Sequence, residues 1–561
     1  MKKSKYSLLL TLTLVLSVFL AACGGGNSAD KGDKKSDGAK TSNVAQEIKV
    51  LSRSEIPTLD SVKTTDEIGF NVLNSINEGL YTADKDGSSV PALVDGEPKV
   101  SEDGKTVTFK LVDAKWSNGD PVTANDFVYA WQRAIDPATA SEYGPYMMNG
   151  KIAGAQEITD AAVAKKEFDL NTLGIKALDE KTLEVKFEKV LPYWKDLMAF
   201  PTFYPQNEKF VKEKGDAYAS NAENLLSNGA FKITSWNGPT ATEWTLEKND
   251  NYREAKAVSL KKITFNVVKD NNAQVNAFEG GEADITDILA SDLVPQYQGD
   301  ERMVSSLQPS VFWVKMNYKN AALANVHIRE AIAKAFNKED IAASILNNGS
   351  IAANYFVPKQ FVSTPDGKDF REKNGDLIVF NAKEAKAAWE KGLADLGIDK
   401  LELRYLGGDT DSAKKVDEYI KNQLETNLPG LKVNLESVPF AIRLDRAKAG
   451  NYDLLHSGWG PDYPDAMTFA DLWLTDGPNN EMTYSSAKYD GLIKKAEEVA
   501  ANQEEYVSTL QEAERVFLAE DYGVAPTYQK ADNILINTKV KGLVALPFGP
   551  NYSYKWITVE E

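Results

Sequence analysis

Apolar and polar residues follow two periods along this chain, and the period switches repeatedly. In "KTVTFKLV", Val107, Phe109 and Leu111 fall on one face, as a half-buried strand requires. "EIKVLSRSEIPTLD" (Glu47 to Asp60) reads as a strand followed by an extended segment. "KTLEVKFE", "WTLEKNDNY", "KKITFNVV", "SVFWVKMN", "KLELRYLG", "LKVNLESV" and "YDLLHSGWG" predict further strands. Between them the spacing lengthens. Phe70, Leu73 and Ile76 recur at helical spacing, and so do Phe127, Ala130, Trp131 and Ala134 behind a cap at Thr123 or Asn125. "NAQVNAFEGGEADIT" predicts a helix stopped by Gly280 and Gly281, then a short strand. "VHIREAIAKAFNKEDIAASIL" predicts one long amphipathic helical region, and "NAKEAKAAWEKGLADLG" a helix ending at Gly397. "AKKVDEYIKNQLETNLPG" is a further helix, and the segment from Ser486 to Tyr522 reads as a pair. The alternation makes the fold class mixed α/β, and no fixed-period repeat is visible.

One stretch breaks both periods. "SGWGPDYPDA" (Ser457 to Ala466) follows a predicted strand and cannot be helical, because Pro461 and Pro464 lack an N–H and fix φ. In open α/β sheets, ligands gather beyond the carboxyl ends of strands. Asp462 stands between Trp459 and Tyr463. Shielded by rings, its carboxylate attracts a cation more strongly than it would in open water. Trp459 adds an aromatic wall, and a primary ammonium with three donors is a natural guest. The competing reading has Asp462 capping a turn and Trp459 filling the core.

The ends and the composition narrow the setting. Lys2, Lys3 and Lys5 precede an apolar run from Ser7 to Leu20, which is short for a membrane span, and "LAACGGG" follows. This resembles a bacterial lipoprotein signal, with Cys23 as the lipidated cysteine. Cys23 is the only cysteine, so no disulfide partner exists for it. Residues 24–43 are nearly devoid of apolar side chains and read as a flexible tether. The net charge of −18 argues against nucleic acid as a partner. Residues 47–561 are too many for one core, so two or three domains are expected. Ten Trp, 23 Tyr and 22 Phe are mostly accounted for by core packing.

Catalytic machinery is hard to find. Only His327 and His456 are present, the first at the start of an apolar-periodic helix, the second beside the Asp462 loop, where it could line a site. No HExxH, G-x-S-x-G or P-loop pattern occurs. Paired carboxylates abound in a chain with 82 acidic residues and do not single out a glycosidase pair. The expectation is a binding protein rather than an enzyme, with no cofactor.

Longer stretches then carry a resemblance. "GWGPDYPD", the run from Glu78 to Pro137, "NGAFKITSWN", "NYREAKAVSLKKITFNVV" and "HIREAIAKAFNKEDI" resemble the bacterial extracellular solute-binding proteins of the peptide/nickel class, the oligopeptide-binding proteins. The resemblance covers about residues 47–561. It implies a two-lobe, three-domain clamshell closing over an extended peptide. Domain I would comprise 47–76, 205–308 and 536–561, domain II 77–204, and domain III 309–535, after a signal at 1–22 and a lipidated tether at 23–46. It also implies roles. Asp462 would pair with the peptide's α-ammonium beside Trp459. His456 falls where some relatives carry arginine and enters the ligand set, and Ser457 and Gly458 would bond the peptide backbone. Glu55 and Ile56 would form an edge on the other lobe, and Tyr143 would contact the ligand. The implied partners are short peptides and the permease and ATPase subunits of an ABC importer. The protein would be a monomer, lipid-anchored on the extracellular face of a Gram-positive cell. Relatives binding nickel chelates, haem or oligosaccharides, or peptide pheromones, supply the alternatives.

Overall fold

The computed structural model describes residues 44–477 and 479–561. Cys23 and the tether lie outside them up to Asn43. Among the described residues no helix is long and apolar enough to cross a membrane. The strands form three main sheets. The first orders Glu47–Ser52, Lys262–Val267, Glu243–Lys248 and Phe231–Ser235. Its first pair is parallel, from Glu47 opposite Lys262 to Ser52 opposite Val267. The second is antiparallel and small, running Lys99–Val100, Thr106–Lys110, Thr182–Lys186, Ile175–Asp179. Val107 and Phe109 are fully buried on one face of it, as their alternation predicts.

The third sheet has six strands, ordered Ile351–Ala352, Val524–Leu535, Met303–Met316, Leu454–Trp459, Leu401–Gly408 and Leu431–Val438. Its two longest strands pair antiparallel from Met303 opposite Leu535 to Lys315 opposite Val524. The Met303 end touches the first sheet's lobe, where Ile285 bridges both Val50 and Ile536. One end of this two-strand ribbon thus lies against the first sheet. Its register shifts between Leu307 and Val311, around Pro309. A proline has no N–H for the ladder and belongs at such a bulge, which bends the strand.

Local chemistry explains the helices. Ala124–Ile135 begins in a capping box between Thr123 and Asp126, which decides the cap for Thr123. Ala382–Leu396 stops at Gly397, whose φ of 67° is left-handed. Two expectations change. The long helical region from Val326 breaks into Val326–Lys334, Lys338–Asp340 and a wide π-helical turn at Ile341–Leu346. Asn337 starts the second piece by accepting from the Glu339 N–H, and such side-chain bonding competes with helix continuation. The short strand expected after Gly281 is only the bridge at Ile285. Large side chains fill the core as expected: Trp116, Trp131, Trp236, Trp244, Trp313, Trp389 and Trp473 are buried. Trp473 stacks on Phe517 at 4.7 Å and meets Trp313 edge-on at 5.2 Å.

Candidate functional site

The site grows from one strand with a half-free edge. Leu454–Trp459 pairs along its whole length with the 303–316 strand, from Met316 opposite Leu454 to Val311 opposite Trp459. On its other side it runs parallel to the 401–408 strand for only two pairs, Tyr405 with Leu454 and Leu406 with Leu455. Beyond them the two strands part. The Asp417 carboxylate fills the space beside Gly407, so close that a Cβ there would lie 1.8 Å from Oδ2. Asp417 Oδ1 takes a hydrogen bond from the Tyr405 hydroxyl at 3.1 Å and lies 2.8 Å from His456 Nδ1. From Ser457 to Trp459 the outer edge has no partner strand among the described residues. Such an edge presents backbone donors and acceptors to an added strand.

His456 is the expectation this geometry revises. Its ring is buried, 4 % exposed, and stands edge-on to the stacked pair of Phe312 and Tyr528. Nδ1 faces Asp417, and Nε2 lies 3.4 Å from Thr527 Oγ1. The ring is a core group, packed on one buried face of the sheet rather than lining the strand edge. Its carbonyl accepts from Arg443 Nη1 at 2.7 Å. His327 sits half-buried next to the helix cap Asn325, with Nδ1 3.8 Å from Glu330.

Ser457, Gly458 and Trp459 are half-buried along the open edge. Gly458 has a steric reason: a Cβ would meet the Phe312 ring at 2.8 Å, and that ring is stacked on Tyr528 at 4.7 Å. Trp459 packs against the core while its Nε1 has no hydrogen-bond partner among the described residues.

The loop then sorts its aspartates by role. Asp465 caps the turn into Met467–Ala470, accepting from the Met467 N–H at 2.8 Å and the Tyr506 hydroxyl at 2.7 Å. Asp462 does not cap. Its N–H donates to Thr468 Oγ1 at 3.3 Å, and its Oδ2 accepts from the Tyr146 hydroxyl. Tyr146 belongs to the short helix Tyr143–Met148, on the opposite wall. Burial raises the Asp462 carboxyl to about 6; the Tyr146 bond opposes this, Asp471 adds to it, and Lys151 opposes it. Asp471 is likewise raised by burial to about 6, and Lys151 is lowered by burial.

Further contacts join the same two walls. Tyr193 stacks on Tyr463 at 4.2 Å, whose hydroxyl reaches Asp471 at 3.3 Å. Lys189 pairs with Glu497 at 2.6 Å. Tyr143 is half-buried, stacked on Phe200 at 5.8 Å and edge-on to Phe70 at 5.5 Å and to Tyr146 at 5.6 Å. Glu55 pairs with Lys269 at 2.8 Å, and the Ile56 side chain is fully buried, which leaves that residue only its backbone to offer. Neither makes a hydrogen bond or ion pair to the Asp462 loop among the described residues. Tyr146, Tyr193, Lys151 and Asp471 escape a reading of the sequence. Only Tyr146 carries a signal there, since it follows Tyr143 by three residues and so shares its helix face.

Among the described residues no group of three or more His, Cys, Asp or Glu is arranged to hold a metal ion. The arrangement offers a strand edge ending at a shielded carboxylate, which suits an extended chain with a cationic end.

Comparison with known proteins places this geometry. Residues 88–481 match the model of the bacterial extracellular solute-binding proteins, family 5 Middle. The dipeptide-binding protein of Lactococcus lactis is 33 % identical over 99 % of both chains. The dipeptide-binding protein DppE of Bacillus subtilis is 32 % identical over 98 % of both. Among solved structures, Listeria monocytogenes OppA bound to peptide aligns with a TM-score of 0.76 at 40 % identity, covering 92 % of this chain and 99 % of that one. The pheromone receptor PrgZ aligns with a TM-score of 0.77 at 34 % identity, covering 92 % of this chain and 100 % of that one. The fold is thus the α/β clamshell of these binding proteins, and the chain belongs to the family 5 bacterial extracellular solute-binding proteins.

Proposed function

We propose that this protein captures oligopeptides in extended form between its two lobes and delivers them to an ABC peptide importer. The observation that carries the reading is the open edge of Leu454–Trp459 ending at the shielded Asp462 carboxylate. Main-chain bonds along Ser457–Trp459 would hold any peptide as an added strand, whatever its sequence. Asp462 would receive the α-ammonium through charge-assisted bonds and set the register. Side chains would face hydrated space, where water adapts to each. Tyr143, Glu55 and Ile56 are proposed on the opposing wall, with Ile56 acting through its backbone. The peptide-bound relative from Listeria supports this reading. In it the protein performs no chemistry of its own; ATP hydrolysis belongs to the importer's ATPase subunits. Cys23 would carry the lipid that anchors the protein, as a monomer, at the outer face of the cell membrane. Domains I, II and III would divide at the boundaries expected above, with the 303–316 and 524–535 ribbon as the hinge.

A second reading keeps the site and changes the cargo's meaning: a peptide pheromone, as in PrgZ. Both readings share one test. Calorimetric titration with free peptides, N-acetylated peptides and the Asp462→Asn variant should show free peptides binding and both changes weakening binding by at least about 2 kcal/mol. Binding that ignores both changes removes the ammonium anchor and leaves backbone recognition alone. No binding by any peptide overturns the proposal.

A further inference from the structure

Asp462 has two carboxylate oxygens, and the described residues use only one. Tyr146 donates to Oδ2; Oδ1 accepts no hydrogen bond among the described residues. The donor comes from the other wall. The Tyr146 ring leans edge-on against Tyr143, which packs on the contacting pair Phe70 and Phe200, so the first lobe fixes where the phenol stands. A phenol offers one donor and no positive charge, so it cannot replace an ammonium. It can orient the carboxylate and favour its charged form.

We infer that Tyr146 is a positioning residue for the ammonium anchor: its phenol, reaching across the cleft, holds Asp462 ionised and turned so that Oδ1 is presented to the ligand's N-terminus. This rests on the reading of Asp462 as that anchor. It ties capture to closure, because the anchor is fully prepared only when the two walls meet. The other groups facing Asp462 are known. Lys151 follows the Tyr143–Met148 helix and favours the charged carboxylate; Asp471, in the turn after the loop, disfavours it; Thr468 binds the Asp462 N–H. Lys189 favours a charged Asp471 from further along the same wall. With burial and Asp471 both pressing Asp462 toward neutrality, the phenol is the direct hydrogen bond to the carboxylate that opposes them.

The test is calorimetric titration of the purified protein, its Tyr146→Phe variant and its Asp462→Asn variant. The probes are a pool of free tetrapeptides and the same pool N-acetylated, between about pH 5 and pH 7.5. In Tyr146→Phe the affinity for free peptides should fall about tenfold at neutral pH, the scale of one charge-assisted hydrogen bond. Its acid-side loss should begin at higher pH than in the parent. Affinity for N-acetylated peptides should stay at the parent's level, which a merely unfolded or splayed variant would not do. Carbon-detected NMR of the Asp462 carboxyl gives a ligand-free check, and its titration should move upward in Tyr146→Phe. Unchanged or tighter binding of free peptides with an unmoved pH onset overturns the inference, as does an Asp462 that titrates alike in both proteins. Should Asp462→Asn bind free peptides as well as the parent does, the anchor reading falls and takes this inference with it. A response to Asp462→Asn with none to Tyr146→Phe sinks this inference alone.

Discussion

Acidification should stabilise this protein, against the usual behaviour of a chain rich in ion pairs. The cause lies around the Asp462 loop. Asp462, Asp465 and Asp471 are each raised from 3.8 to about 6, chiefly by burial. A carboxyl that titrates higher in the folded chain makes the folded state bind more protons between the two values. Stability therefore rises as pH falls through the folded value and levels off below the unfolded one. Between about pH 7.5 and pH 5 each such group contributes roughly 1.4 kcal/mol. Asp471 helps to raise both neighbours, so protonating it removes part of their shift, and the three together should contribute about 2–3 kcal/mol. The buried Lys338, lowered to about 7, takes back under about 1 kcal/mol of this as it charges. Thermal unfolding of the ligand-free protein at both pH values is the assay. At roughly 2–4 °C per kcal/mol for a domain of ordinary size, the net gain should raise the midpoint by about 2–8 °C at the lower pH. Asp471→Asn should raise the midpoint at pH 7.5 and flatten the pH response. Saturating peptide should shrink the response as well, because the bound ammonium holds Asp462 charged. A midpoint that falls or stays level on acidification refutes the reasoning, as does an Asp471→Asn variant with the full response.

Other consequences are equally open to measurement. Glu514 is fully buried and accepts from Arg371, from Asn374 at 2.6 Å and from the N–H groups of Phe356 and Val357 at 3.0 and 2.9 Å. Glu514→Gln strands the Arg371 charge and should cost about 3–5 kcal/mol, read as a lowered denaturation midpoint. Gly458→Val should push Phe312 and the strand edge apart, at a cost of about 1–3 kcal/mol, and weaken peptide binding. Gly460→Ala, whose Cβ meets only Ser310 Oγ at 3.0 Å, should bind more nearly as the parent does. Lys189→Ala removes an ion pair whose partners are each over a third exposed, so closure should lose only about 0.2–1 kcal/mol; a peptide affinity reduced more than about fivefold contradicts that.

The periodic pattern alone determined most of the elements and the α/β class, because burial on one face of a strand or helix must be written locally in residue order. Val107 and Phe109 and the stop at Gly397 follow from that, whereas the choice of Thr123 over Asn125 as the cap was made by the capping box with Asp126. The prolines and glycines of 457–466 likewise marked a rigid turn after a strand, and Asp462 stood out in it. What only the tertiary structure decided is who faces whom. That Asp465 rather than Asp462 caps the turn depends on where Met467 and Tyr506 come to rest. His456, which shares the strand with the open edge, is a core group because Asp417, Thr527 and Tyr528, all remote in sequence, come to rest around its ring. Tyr146 reaches Asp462 only because two lobes close, an encounter between residues 316 positions apart that no local period records. The same closure raises the Asp462 carboxyl, since burial is a property of the assembled cleft and not of the loop that carries it.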